Sequence, residues 1–252
     1  MTSNSRFRLE RPPVKRVALT VNFVAEPRLQ GWHLDTFFRS LSSRYLTRQE
    51  VAPRPGVDTG PFEFLPSTGG WPIPRTEFAS HEHSLSVQGD ELEVVWHFGD
   101  EGEKEYPGFE SLMKELEQVL TDLVASAREQ EVEVTAHEVE CFYINEVEGI
   151  TAPALAVGVL TDWADVQPRA LPEEGYVGVR LHGCGHTEEH HCSSYVMVDS
   201  NDDGTPLLSF RVGRALDEDE DAAEAMHRAH EELIGLFRSH TPDSLRAQWG
   251  ES

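Results

Sequence analysis

The chain is poor in cysteine, poor in positive charge and without any long apolar run. Of its 252 residues only three are cysteines, Cys141, Cys184 and Cys192. Three cannot all pair with one another, so a disulfide framework is not expected and the fold must rest on a packed core. Lysine and arginine together number 21 against 45 acidic residues, a formal net charge of −24. That balance disfavours a surface for nucleic acid or for an anionic membrane, since both repel negative charge. It permits a basic protein partner, or simply a highly soluble cytoplasmic protein, the reading that net charge supports first. No stretch approaches the ~20 apolar residues of a membrane span. The opening Met1-Thr-Ser-Asn-Ser-Arg-Phe-Arg lacks the apolar run of a signal peptide. Common enzyme signatures are missing too. There is no Gly-x-Ser-x-Gly elbow, no phosphate loop ending in Gly-Lys-Ser or Gly-Lys-Thr, and no Gly-x-Gly-x-x-Gly. No cysteine stands in a basic setting that would make it a nucleophile.

What is present supports a globular fold, because 38% of the residues are hydrophobic. The middle of the chain, residues 131–147, reads as a long strand and as the spine of a sheet. Val132, Val134 and Ala136 alternate with polar residues; the phase then slips to Val139, Cys141 and Tyr143, which predicts a β-bulge. Ahead of it, 17–23 is a strand, and 32–45 carries Leu34, Phe37, Phe38, Leu41 and Tyr45 at helical spacing. Residues 46–75 are rich in proline and glycine and read as a long loop. Leu85 to Phe98 form a hairpin about Gly89-Asp90, a pair suited to a type II′ turn. Pro107 opens a long helix with a stripe from Phe109 to Ala127.

After the spine, 155–160 reads as a short strand, followed by strands at 176–184, 192–198 and 207–212. A helix Ala222–His240 follows the acidic run Asp217-Glu-Asp-Glu-Asp221, which reads as a dipole cap, and a last short helix ends near Trp249. This order predicts an α+β fold with largely antiparallel sheets and helices packed on one face. The natural division is an N-terminal half, 1–147, and a C-terminal half, 148–252. Whether the halves are similar, or make one compact unit, is left open by the sequence.

Four landmarks carry a family resemblance: Pro12-Pro13-Val14 with its strand, Glu105-Tyr-Pro-Gly-Phe-Glu110, Tyr143-Ile-Asn145, and Ala229-His230 with Phe237 and Trp249. Together they resemble a sporadically distributed, functionally uncharacterised bacterial family of about this length. The resemblance implies mobile genes, as in toxin–antitoxin or phage-defence neighbourhoods. It carries no catalytic residue over.

One segment has the residue types of a metal site. In His182-Gly-Cys184-Gly-His186-Thr-Glu-Glu-His190-His191-Cys192, the residues Cys184, His186, His190 and Cys192 stand on two arms of a hairpin. Four such ligands would close a structural zinc site. The spacing matches no standard finger or ribbon, so solvated turn residues are the default reading. His81-Glu-His83 offers two imidazoles without a third ligand, and reads as an exposed strand face. Asp199-Ser-Asn201-Asp-Asp203-Gly204 copies half of a calcium loop but has Phe210 where the bidentate glutamate belongs, so a hairpin turn is expected. His230 falls near the apolar stripe of its helix and reads as a core or interface histidine, with Tyr143 and Tyr106 in the core and Asn145 anchoring a turn.

These observations favour a non-enzymatic interaction protein that binds a protein partner, antitoxin-like or part of a defence system. The alternatives are a metal-dependent enzyme using the His/Cys hairpin and a small-molecule sensor. No cofactor beyond a structural zinc is suggested.

Overall fold

The computed structural model describes residues 7, 9–24, 29, 31–52, 75–98, 106–164, 178–187 and 190–251, with the backbone alone over 184–187 and 190–192. Its contacts divide the chain into two units. One comprises Ala18–Val139 with Glu218–Ala223, and the other Met1–Val17, Glu140–Asp217 and Glu224–Ser252. The fold is α+β with antiparallel strands, as the order of elements predicts.

In the unit built around Ala18–Val139, β1 (Val14–Phe23) leads through a 3₁₀ turn, Gly31–Leu34, into α1 (Asp35–Leu41). There follow β2 (Thr47–Val51), β3 (Arg75–Ala79), β4 (His83–Gln88), β5 (Glu91–His97) and α2 (Phe109–Glu129). The strand order is β2-β3-β4-β5-β1. The hairpin forms where expected: Gln88 pairs with Glu91, so the turn is the two residues Gly89-Asp90. The Asp90 carbonyl accepts from the Phe23 amide at 2.8 Å. Phe78, Leu85, Val87, Leu92, Val94 and Trp96 are buried on one face, and α2 packs on β5. The helical spacing at 32–45 holds in detail, since Leu34, Phe37, Phe38, Leu41 and Tyr45 are all buried. Each such side chain contributes about 1.5–3 kcal/mol by leaving water.

Three expectations change here. Residues 47–51, read as part of a loop, form β2, whose Gln49 pairs with Glu77 and Val51 with Arg75. Exposed on nearly every position, β2 has no apolar alternation to betray it; the rest of the proline-rich segment, 53–74, lies outside the described residues. The long helix starts two residues after Pro107, because Gly108 takes φ 87°, a conformation that suits glycine and cannot continue a helix. The spine strand, β6 (Ala136–Glu146), is shorter than 131–147 and has no break in its alternation, with Val139, Cys141, Tyr143 and Asn145 all buried. The apparent slip marks a change of element. Glu131 at φ 58° and the Val132 amide bonding back to Ala127 at 3.0 Å are the exit from α2, and buried Val132 closes that end.

In the unit built around Glu140–Asp217, β6 is followed by α3 (Ala152–Leu160), β7 (Val179–Thr187), β8 (His190–Ser200), β9 (Pro206–Ala215), α4 (Ala222–His240) and α5 (Asp243–Gln248). The strand order is β6-β9-β8-β7. The expected strand at 155–160 is instead helix α3. Thr151 caps it, its hydroxyl accepting from the Ala154 amide at 3.4 Å, and Pro153 stands in the first turn, where a missing N–H costs nothing. Ala152, Leu155, Ala156 and Val159 recur at helical spacing and are buried, whereas a strand would have alternated them.

The turn after α3 is tight. Asp162 and Trp163 both have positive φ, 52° and 56°. The Trp163 indole N–H donates to the His240 carbonyl at 2.9 Å. A methyl group added at Gly158 would come within 2.6 Å of that ring. Alanine normally gains about 1 kcal/mol over glycine in a helix, yet overpacking a held ring costs about 1–3 kcal/mol. Gly158→Ala is therefore expected to lower stability by about 1 kcal/mol, read as a lower denaturation midpoint with unchanged slope. A raised midpoint would show that the ring moves freely.

Candidate functional site

One face of the β6-β9-β8-β7 sheet is committed to packing. Val196, Val198, Leu208, Phe210, Val212, Cys141 and Tyr143 are buried there. Phe210 meets Phe237 of α4 with ring centroids 5.6 Å apart, Tyr143 meets His230 at 5.8 Å, and α3 packs on β8 and β9. Asn145 belongs to this face. Its amide donates to the Leu208 carbonyl of β9 at 3.0 Å, so it ties two strands together where a turn anchor is expected from sequence.

The opposite face is built differently. Strand register places His182, Tyr195 and Arg211 in one cross-strand row, with Arg180 and Met197 in the next. The Arg180 guanidinium lies over the Tyr195 ring at 3.9 Å and that of Arg211 at 5.7 Å. Phe142 and His182 flank the same ring at 6.3 Å and 6.1 Å. Arg211 is also ion-paired with Glu140. Arg180 and His182 are exposed; Phe142, Ile144, Tyr195, Met197 and Arg211 are half-buried. Burial raises the Tyr195 pKa, partly offset by the two guanidinium charges, so the ring stays a neutral hydroxyl-bearing platform. Each cation over the ring contributes about 0.5–1 kcal/mol at such exposure. Tyr195, Arg180 and Arg211 carry no motif in the sequence. Their only trace is alternation on strands whose pairing the sequence does not print.

The other unit holds a second polar cluster. Glu115 of α2 accepts from the Tyr45 hydroxyl at 2.5 Å and bonds to His83 Nδ1 at 2.9 Å, with Arg44 at 3.9 Å. Burial pushes the Glu115 pKa up, but the bonds from His83 and Tyr45 and the charges of His83 and Arg44 outweigh it, and the net shift is down. The Tyr45 pKa is raised, first by burial and then by that carboxylate. At the far end of β3, buried Arg75 donates to Ser86 and Glu93, each at 2.8 Å. Both sets join elements of this unit and act as packing anchors.

The histidine pair His81-Glu-His83 separates: His81 is exposed ahead of β4, and only His83 enters the strand. The side chains of Cys184, His186, His190 and Cys192 lie outside the described residues. Their backbones do form a hairpin, with Cys184 opposite Ser193, Gly185 opposite Cys192, and Thr187 opposite His190. Among the described residues no three histidine, cysteine, aspartate or glutamate side chains gather to hold a metal. Asn201 and Asp203 spend their oxygens on a turn, accepting from the Thr205 amide at 2.8 Å and 2.9 Å, with Gly204 at φ 84°. The Thr205 hydroxyl, which donates to Asp203 at 2.5 Å, and then the Thr205 amide lower the Asp203 pKa. Buried Cys141 has its thiol pKa raised by burial and then by Glu140, which keeps it protonated. Among the described residues no helix is long and apolar enough to cross a membrane. Comparison of the chain with known protein families and with curated proteins finds no match.

His230 gives a pH prediction. Burial, and then the neighbouring His227, lower its pKa from 6.5 to about 4. The folded state therefore binds fewer protons than the unfolded state, and the contribution is complete above pH 6.5 and lost as pH falls through about 4. Discounted for the partial exposure of the ring, the loss amounts to about 2 kcal/mol. His230→Gln is expected to flatten that part of the acid limb, measured as the change in urea midpoint between neutral and acid pH. An equal decline in both proteins would show that His230 does not titrate with folding.

Proposed function

We propose that this chain is a non-enzymatic, cytoplasmic protein-binding module, and that the Tyr195 face is where it binds. The observation that carries this reading is the stacking of Arg180 and Arg211 on Tyr195, beside Phe142 and Met197, on a half-buried sheet face. Tyrosine and arginine are the residues that dominate binding hot spots, and interface cores add phenylalanine and methionine while shedding lysine and acids. On a chain with 45 acidic residues that composition runs against the average. The stack also limits the entropy lost on binding, because rotamer-rich arginines are already held against a ring. The family resemblance supports an antitoxin-like or phage-defence setting for such a module.

A tagged full-length chain recovered from its own cells should bring down a stoichiometric partner. Tyr195→Ala should lose that partner while keeping a wild-type far-UV spectrum and a cooperative transition, its thermal midpoint lower by several degrees for the lost ring contacts. Arg39→Gln, a substitution at an exposed ion pair of α1, should keep it. Recovery that is insensitive to Tyr195→Ala, or of the chain alone, would remove the reading.

A further inference from the structure

The cations of the Tyr195 face are not equal. Arg211 is answered by Glu140, and Lys15 by Glu146 at 3.2 Å. Arg180 is exposed, and among the described residues no carboxylate meets its guanidinium, which rests on the Tyr195 ring at 3.9 Å. Resting on the ring, the guanidinium is held by stacking and its N–H edges stay open. That is the arrangement in which arginine receives a carboxylate through two parallel hydrogen bonds. Beside it lies an apolar floor, with Phe142 centred 6.3 Å from the Tyr195 ring and Met197 paired opposite Arg180.

Resting on the binding role proposed above, we infer that the partner segment presents an isolated aspartate or glutamate to Arg180 and an apolar or aromatic side chain to the floor formed by Tyr195 and Phe142. The Arg180 guanidinium lies 3.9 Å from the Tyr195 ring and Phe142 6.3 Å from it, so the two anchor points stand at most about 10 Å apart, a span an extended chain covers in about three residues. The acid and the apolar side chain therefore stand within about three positions of each other. Charge sets how many acids are tolerated. A molecule of net charge −24 repels a second polyanion. A run of carboxylates or phosphates would place every charge but one against that field. A single carboxylate meets the Arg180 guanidinium, which no carboxylate meets among the described residues, and its apolar neighbours are indifferent to the field. A protein segment is favoured over a nucleic acid for this reason.

The test is selection of short random-sequence peptides, displayed on phage, against the immobilised full chain. Enriched peptides should carry one acid within about three positions of a large apolar residue. A synthetic version should bind roughly tenfold more weakly to Arg180→Gln, as expected for the loss of one charge-assisted hydrogen-bonded contact. Replacing the peptide's acid by its amide should cost as much, and combining both changes should cost little more. Peptides that lose binding to Tyr195→Ala but not to Arg180→Gln would overturn this inference and leave the binding face standing. Peptides insensitive to both substitutions, or no enrichment at all, would count against the face itself. Tighter binding of single-stranded oligothymidine than of any peptide would replace the protein partner with nucleic acid.

Discussion

Along β6, buried Val139, Cys141, Tyr143 and Asn145 alternate with half-buried Glu140, Phe142 and Ile144. That period-2 division is the constraint on which the surrounding unit depends. Because side chains in a strand point alternately to opposite faces, covering one face with helices leaves the other without a partner from the same layer. Asn145 sits on the covered face and spends its amide on the Leu208 carbonyl. A polar side chain is tolerated there because its donor is satisfied. The consequence on the other side is the Tyr195 stack, where aromatic and cationic groups collect on the face that α4 does not cover.

Charge organises the same surfaces. With acids outnumbering bases about two to one, most arginines among the described residues find carboxylates: Arg228 meets Asp217 at 3.6 Å and Glu224 at 2.7 Å, and Arg238 meets Glu251 at 3.9 Å. Asp217, at the head of the acidic run, also meets Arg214 at 3.1 Å. The run therefore does more than face the helix dipole. At the other end of α4, buried Arg246 donates to the Arg238 carbonyl at 2.8 Å and to Glu251 at 2.6 Å, and also bonds to Thr241 and Asp243. One guanidinium thus closes the carbonyl end of α4 and holds α5 to it.

Residue patterns carried much of the architecture. Leu34, Phe37, Phe38 and Leu41, the stripe of α2 and the span Ala222–His240 are long or strongly periodic, and such patterns survive tertiary packing. Where the signal was short, it misled. Residues 155–160 are apolar at every position but one, and an apolar run of that length fits a buried strand or helix equally; the Thr151 cap and Pro153 decide for the helix. The exposed strand β2 has no alternation to detect, because neither face buries more than its last residue. The exit from α2 borrowed the phase of a strand through Val132 and so made one element look like two registers.

The sequence by itself determined the class of fold, the excess of negative charge and which faces of the helices and strands are apolar. These follow from composition and local periodicity, which act within a few residues. Only the tertiary structure decided which polar side chains meet. Tyr45 and Glu115 are 70 positions apart, as Glu140 and Arg211 are 71, and His182 and Tyr195 become neighbours through strand register alone. Register and helix docking are set by the summed burial of whole faces, so no local pattern could have announced the Tyr195 stack.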